Sequence, residues 1–62
     1  MTYPKRILIA RTFLGESQEA FGKRFGVKAS AVSLWETGRN EAFYKVLYFV
    51  DETLEELRGE GR

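Results

Sequence analysis

The sequence has no cysteine and no histidine, and only one proline among its 62 residues. Without cysteine there is no disulfide to staple a small fold, which suits a reducing cytoplasm. Lacking histidine as well, the chain is short of the usual zinc ligands and of the commonest general base. The apolar run "ILIA" is too short to span a bilayer, and its bracketing charge in "KRILIAR" does not fit a signal peptide. Strand signals are missing throughout. A chain this short can hardly enclose a pocket of the volume that enzymes and small-molecule sites use, so no catalytic residue, metal, cofactor or small-molecule ligand is expected. The acids of "DETLEEL" read as a solvated helix face rather than as a catalytic carboxylate pair.

What is present points to order. A content of 44% hydrophobic and 15% aromatic residues is too apolar for a disordered tail. One domain over residues 1–62 is expected, near the lower size limit at which a core unaided by staples holds a fold. The net charge of +1 conceals a polarity. Up to Arg39 there are seven basic residues against three acidic, giving +4; from Asn40 onward there are three against six, giving −3. One end can approach a polyanion while the other is repelled by it.

The periodicity is helical from end to end. Pro4 is suited to opening a first helix, in which Ile7, Ala10 and Leu14 share a face and which Gly15 closes. Ser17 is a good N-cap for a second helix, with Phe21 and Phe25 four apart on one side, and Gly26 stands where a left-handed residue ends it. A third helix is expected from about Lys28 to Thr37, burying Val32 and Trp35, with Gly38 beyond. Phe43, Leu47, Val50, Leu54 and Leu57 then step along a longer fourth helix, placed over about 42–58, with Tyr44, Tyr48 and Phe49 off that line. The tail "GEGR" should fray.

The second and third helices are short, and helices of that length are marginal unless they brace each other. Joined by a glycine turn, they can cross steeply and present one of the pair outward. Gly22 costs roughly 1 kcal/mol of helix propensity relative to alanine, so its presence implies close packing of the two backbones. Phe21, Phe25, Val27, Val32 and Trp35 are the expected filling beneath. That leaves Lys28, Ala29, Ser30 and Ser33 outward: small or polar, with one cation, and suited to a polar groove such as the major groove of DNA.

The stretch "SQEAFGKRFGVKASAVSLWETGR" resembles the helix-turn-helix of the Cro and phage-repressor family of DNA-binding proteins. That family reads S/T-Q-x-x-[LF]-[AG], a Gly-Val turn, and a recognition helix ending in [WY]-E-x-G-[RK]. Thirteen positions match in register: Ser17, Gln18, Phe21, Gly22, Phe25, Gly26, Val27, Val32, Ser33, Trp35, Glu36, Gly38 and Arg39. The resemblance implies an all-α, lambda-repressor-like domain of four helices, or five as in many relatives, with the helix-turn-helix over about 17–37.

The resemblance also implies roles. Ser17 and Gln18 at the start of the second helix would hold a DNA phosphate, and Arg39 with Asn40 a second one. Arg11 would pair with Glu36 and face the DNA backbone. Base reading would fall to Ala29, Ser30, Ser33 and Leu34, while Gly22, Gly26, Val32, Trp35 and Glu36 support the site. Here the sequence departs from its relatives, many of which carry glutamine or arginine at the reading positions. Ala29 can touch only a thymine methyl, Ser30 and Ser33 discriminate little, and Leu34 replaces a long polar residue. Lys28 stands where a Ser or Thr cap is common, and can reach a phosphate or a guanine. Weak specificity, readout through DNA shape, or a turn to protein contacts all remain open.

Phe49, Leu54 and Leu57 are candidates for a homodimer contact, since a domain this small has apolar surface to spare. The implied function is a dimeric, sequence-specific regulator of double-stranded DNA, a repressor in the cytoplasm of a prokaryotic or phage-infected cell. The alternative is an antitoxin-like or partner-binding module whose helix-turn-helix mainly makes protein contacts.

Overall fold

The computed structural model describes residues 2–60, and among these every regular element is helical. The order is α1 (Tyr3–Leu14), α2 (Gln18–Lys23), α3 (Ala29–Glu36) and α4 (Tyr44–Glu60). Pro4 lies in the first turn of α1, where its missing N–H leaves no bond unmade. Ser17 caps α2, its Oγ accepting from the Ala20 N–H at 3.1 Å. Lys28 and Thr37 flank α3 as its caps, one residue beyond each end of the helix itself. No helix is long and apolar enough to cross a membrane.

Packing follows from which faces are apolar. α1 lies against both α3 and α4, and α2 lies against α3. Ile7, Ala10, Phe21, Val32, Trp35, Ala42, Val46 and Val50 form the buried core. Above it five rings meet edge to face, with Phe25 at the centre, touching Phe21, Trp35, Phe43 and Phe49 at centroid distances of 5.4, 6.4, 6.2 and 5.6 Å. Such pairs are worth about 0.5–1.5 kcal/mol each beyond the area they bury. Those rings come from α2 (Phe21), the turn after it (Phe25), α3 (Trp35), the link (Phe43) and α4 (Phe49), so the cluster joins α4 to the α2–α3 pair.

The fourth helix departs from its expected phase. Of the expected stripe, Val50 is buried and Leu47 and Leu54 pack half-buried against the core. The buried line, however, is Val46, Val50 and Thr53, with Ala42 just before it, and Phe43 is 45% exposed in the link. Phe49, expected off the core and offered as a dimer contact, instead packs inward against Phe21 and Phe25. Leu54 is half-buried against the same core, and Leu57 is half-buried at its edge. The buried polar residue in this line, Thr53, donates its hydroxyl to the Phe49 carbonyl at 2.8 Å. The helix begins at Tyr44, two residues later than expected, and Gly59 and Glu60 continue it rather than fray, while Gly61 and Arg62 of the tail lie outside the described residues. Asp51 fastens α4 to the start of α1, accepting from Tyr3 Oη and Arg6 Nη2 at 2.8 Å each.

The turn between α2 and α3 depends on two glycines. Gly26 sits at φ +71°, a conformation that costs other residues steric strain. At Gly22, inside α2, an added Cβ would lie 2.7 Å from the Val27 carbonyl oxygen and 3.3 Å from that of Lys28. Both neighbours are backbone, which cannot swing aside as a flexible side chain does.

Gly22→Ala is therefore expected to destabilise the fold by about 1–2 kcal/mol, the overpacking cost exceeding the gain in helix propensity. Gly59→Ala, where a Cβ would meet nothing, should instead be neutral or stabilise by a few tenths of a kcal/mol. Urea denaturation followed by circular dichroism checks both, and a Gly22→Ala protein as stable as its parent would refute the close-packing account.

Candidate nucleic-acid interface

The interface is built on one carboxylate. Glu36, at the last turn of α3, accepts from Arg11 Nε at 2.6 Å and from Arg11 Nη2 at 3.2 Å. Gln18 Nε2 adds a third bond at 3.0 Å, so α1, α2 and α3 all converge on this group. Arg11 Nη1 also donates to the Glu16 carbonyl at 2.8 Å, which ties the α1–α2 link into the same network. The side chains of Arg11 and Glu36 are 17% and 8% exposed. A bidentate pair this shielded from water is stronger than a surface ion pair and costs more to break. Glu36 holds the guanidinium of Arg11 above its ordinary pKa, so its charge persists across the accessible pH range.

A second arginine grips the link from the other side. Arg24 donates from Nε to both carboxylate oxygens of Glu16, at 2.9 and 3.1 Å, and from Nη2 to one of them. Its guanidinium also lies 4.8 Å from the centre of the Phe49 ring on α4. Local spacing of three or four does not signal this pair, because residues 16 and 24 are eight apart and flank α2, one just before its N-cap Ser17 and the other at its C-cap.

On this frame α3 turns Val32 and Trp35 inward. Lys28 and Ser30 are exposed, and Ala29, Ser33 and Leu34 are half-buried along the flank. The Lys28 ammonium has no lone pair with which to cap the N–H groups of α3, and it forms no hydrogen bond or ion pair among the described residues. Beyond α3, Arg39 and Asn40 are exposed, yet their backbone N–H groups are spent on the Leu34 carbonyl at 3.0 and 3.3 Å. Any anion held there must therefore be held by their side chains. Thr37 Oγ1 donates to the carbonyls of Ser33 and Leu34, closing the end of the helix.

The expected phosphate contacts fall into two groups. Lys28, Arg39 and Asn40, near the two ends of α3, make no side-chain hydrogen bond or ion pair among the described residues. Ser17, Gln18 and Arg11 are already engaged within the protein, as a helix cap and as partners of Glu36. For Gln18 one amide proton and the side-chain oxygen stay available; for Arg11 the guanidinium is used on the Glu36 and Glu16 sides.

Two expectations follow. Glu36→Ala, by leaving Arg11 largely shielded and unpaired, should lower stability by about 3 kcal/mol, and Arg11→Met with Glu36→Leu together should recover most of it. Thermal unfolding of Glu36→Ala and of the Arg11→Met, Glu36→Leu double variant, each against the parent, measures this. The second concerns pH. Arg24 holds the Glu16 carboxyl below its ordinary range, so the pair contributes stability above the unfolded value of about 4.3 and loses it as pH falls through the lower folded value. Glu16→Gln should remove that part of the acid-side decline, as read from urea midpoints followed from neutral pH down to below the unfolded value of about 4.3.

No protein-family model, no curated protein and no solved structure matches this chain.

Proposed function

We propose that this chain is a sequence-specific regulator of double-stranded DNA, acting as a dimeric repressor that reads the major groove with α3. The observation that carries the reading is the outer side of α3: small and polar at Ala29, Ser30 and Ser33, backed by Trp35, and flanked by the free side chains of Lys28 and Arg39. A surface of that width and polarity can enter a groove without leaving apolar area exposed. Cations at both ends supply the phosphate contacts that dominate affinity, while the small residues between them allow close approach to base edges. The net −3 of residues 40–62 orients the approach, keeping α4 away from the polyanion.

Within this reading Glu36 is a positioning residue: it sets Arg11 and Gln18 relative to α3. Base discrimination is shallow, carried by serine hydroxyls, by a methyl contact from Ala29, and by DNA shape. A symmetric dimer would set two α3 helices about one helical turn apart. Leu54 and Leu57 remain the candidates to make it, Phe49 having been drawn inward.

Selection from random duplex DNA with the full chain is expected to enrich a two-fold motif with half-sites about one turn apart. Binding should weaken steeply with salt, and Arg39→Ala should lower the slope of log affinity against log salt by about 1 per protomer at every sequence. Pools that stay unenriched at low salt would overturn the reading in favour of a module whose α3 surface binds protein.

A further inference from the structure

We propose that the outer face of α4 docks an arginine-bearing basic segment of another protein. Opposite the buried line of Val46, Val50 and Thr53, the helix carries Tyr44, Tyr48, Glu52 and Glu55 at steps of four, four and three, one continuous face. The two tyrosines are 76% and 58% exposed, and their rings stack on each other at 6.4 Å and 29°. Neither takes part in the edge-to-face cluster within the protein, so the fold leaves two large aromatic surfaces in water.

The charges beside them decide what fits. Asp51 is already bound to Tyr3 and Arg6, and Glu55 has only a loose contact with Arg58 at 3.8 Å. Glu52 and Glu56, exposed on the same helix, form no ion pair among the described residues. Lys45 stands at one edge and Arg58 at the other, leaving the strip between them acidic. A second copy would bring like charges together, and duplex DNA would be repelled, so the complementary occupant is a cationic chain. Arginine suits it better than lysine. A planar guanidinium stacks on tyrosine faces and presents its fork to a carboxylate, whereas an ammonium does only the second, as a point charge. This face is separate from α3, and the inference stands or falls independently of DNA binding.

The test titrates the full chain with a synthetic helical peptide of alanine and arginine and with its lysine counterpart, followed by NMR and fluorescence anisotropy. The arginine peptide should shift the signals of Tyr44, Tyr48 and Glu52 and bind several-fold more tightly than the lysine peptide. Tyr44→Ala with Tyr48→Ala should weaken it about tenfold while the circular dichroism spectrum stays unchanged, since both side chains are exposed. Glu52→Gln with Glu55→Gln, tested separately, should weaken binding and flatten its salt dependence. Equal affinity for the two peptides, unaltered affinity in the tyrosine variant, or shifts centred elsewhere would overturn the proposal. So would tyrosine shifts that follow protein concentration alone, which mark a second copy, or that follow added duplex DNA.

Discussion

The distance between α2 and α3 is the constraint on which everything else rests. Gly22 lies against the carbonyls of Val27 and Lys28 so closely that even a methyl group would collide with them. That approach lets two helices of six and eight residues, each too short to persist alone, share one apolar seam from Phe21 to Val32. Only with α3 seated so can Glu36 meet Arg11 and Gln18 together, and only then does the ring of Trp35 reach the aromatic cluster. The outward aspect of α3 is thus a by-product of a backbone contact on its inner side.

Around this seam the protein uses polar groups where its core is too small to suffice. Glu36 ties three helices, Glu16 is held by its carbonyl from Arg11 and by its carboxylate from Arg24, and Asp51 fastens the two ends of the chain's fold at α1 and α4. Each of these acids receives more than one donor, and Glu36 and Asp51 join elements distant in sequence. The long fourth helix serves mainly as a lid on α1, and its outer face is left with aromatic and acidic groups that the fold itself does not use.

Much of this was legible in the sequence, for local reasons. Pro4, Gly15, Ser17, Gly26 and Gly38 act through their own backbone preferences, so the ends of α1 and α3 and the start of α2 are legible within about a residue. By contrast, α2 closes at Lys23, before Gly26, and leaves Phe25 in the turn. The inward positions of α2 and α3 followed from spacing, and the Arg11–Glu36 pair from family resemblance, since residues 25 apart leave no local trace. The phase of α4 is legible only in part: Val50, Leu47 and Leu54 face the core as their spacing implies, but the centre of the buried line does not follow from it. "FYKVLYFV" is apolar on nearly every side, so two stripes compete, and the true one contains Thr53, whose hydroxyl is satisfied within its own helix and thus hides as a polar residue in the core. The inward position of Phe49 is hidden for the same reason, and the Arg24–Glu16 pair leaves no trace because its spacing of eight, across the length of α2, matches no neighbouring-turn pattern.

Trp35 is the chain's one indole, 5% exposed and wedged between Phe25 and Phe43. Its emission therefore reports a single event, the seating of α3 on the body of the molecule. If α3 loosened while the other helices held, the fluorescence would shift to the red before helical content fell. The protein thus carries an optical gauge of how firmly α3 is seated, with no label attached and no other tryptophan to blur the signal.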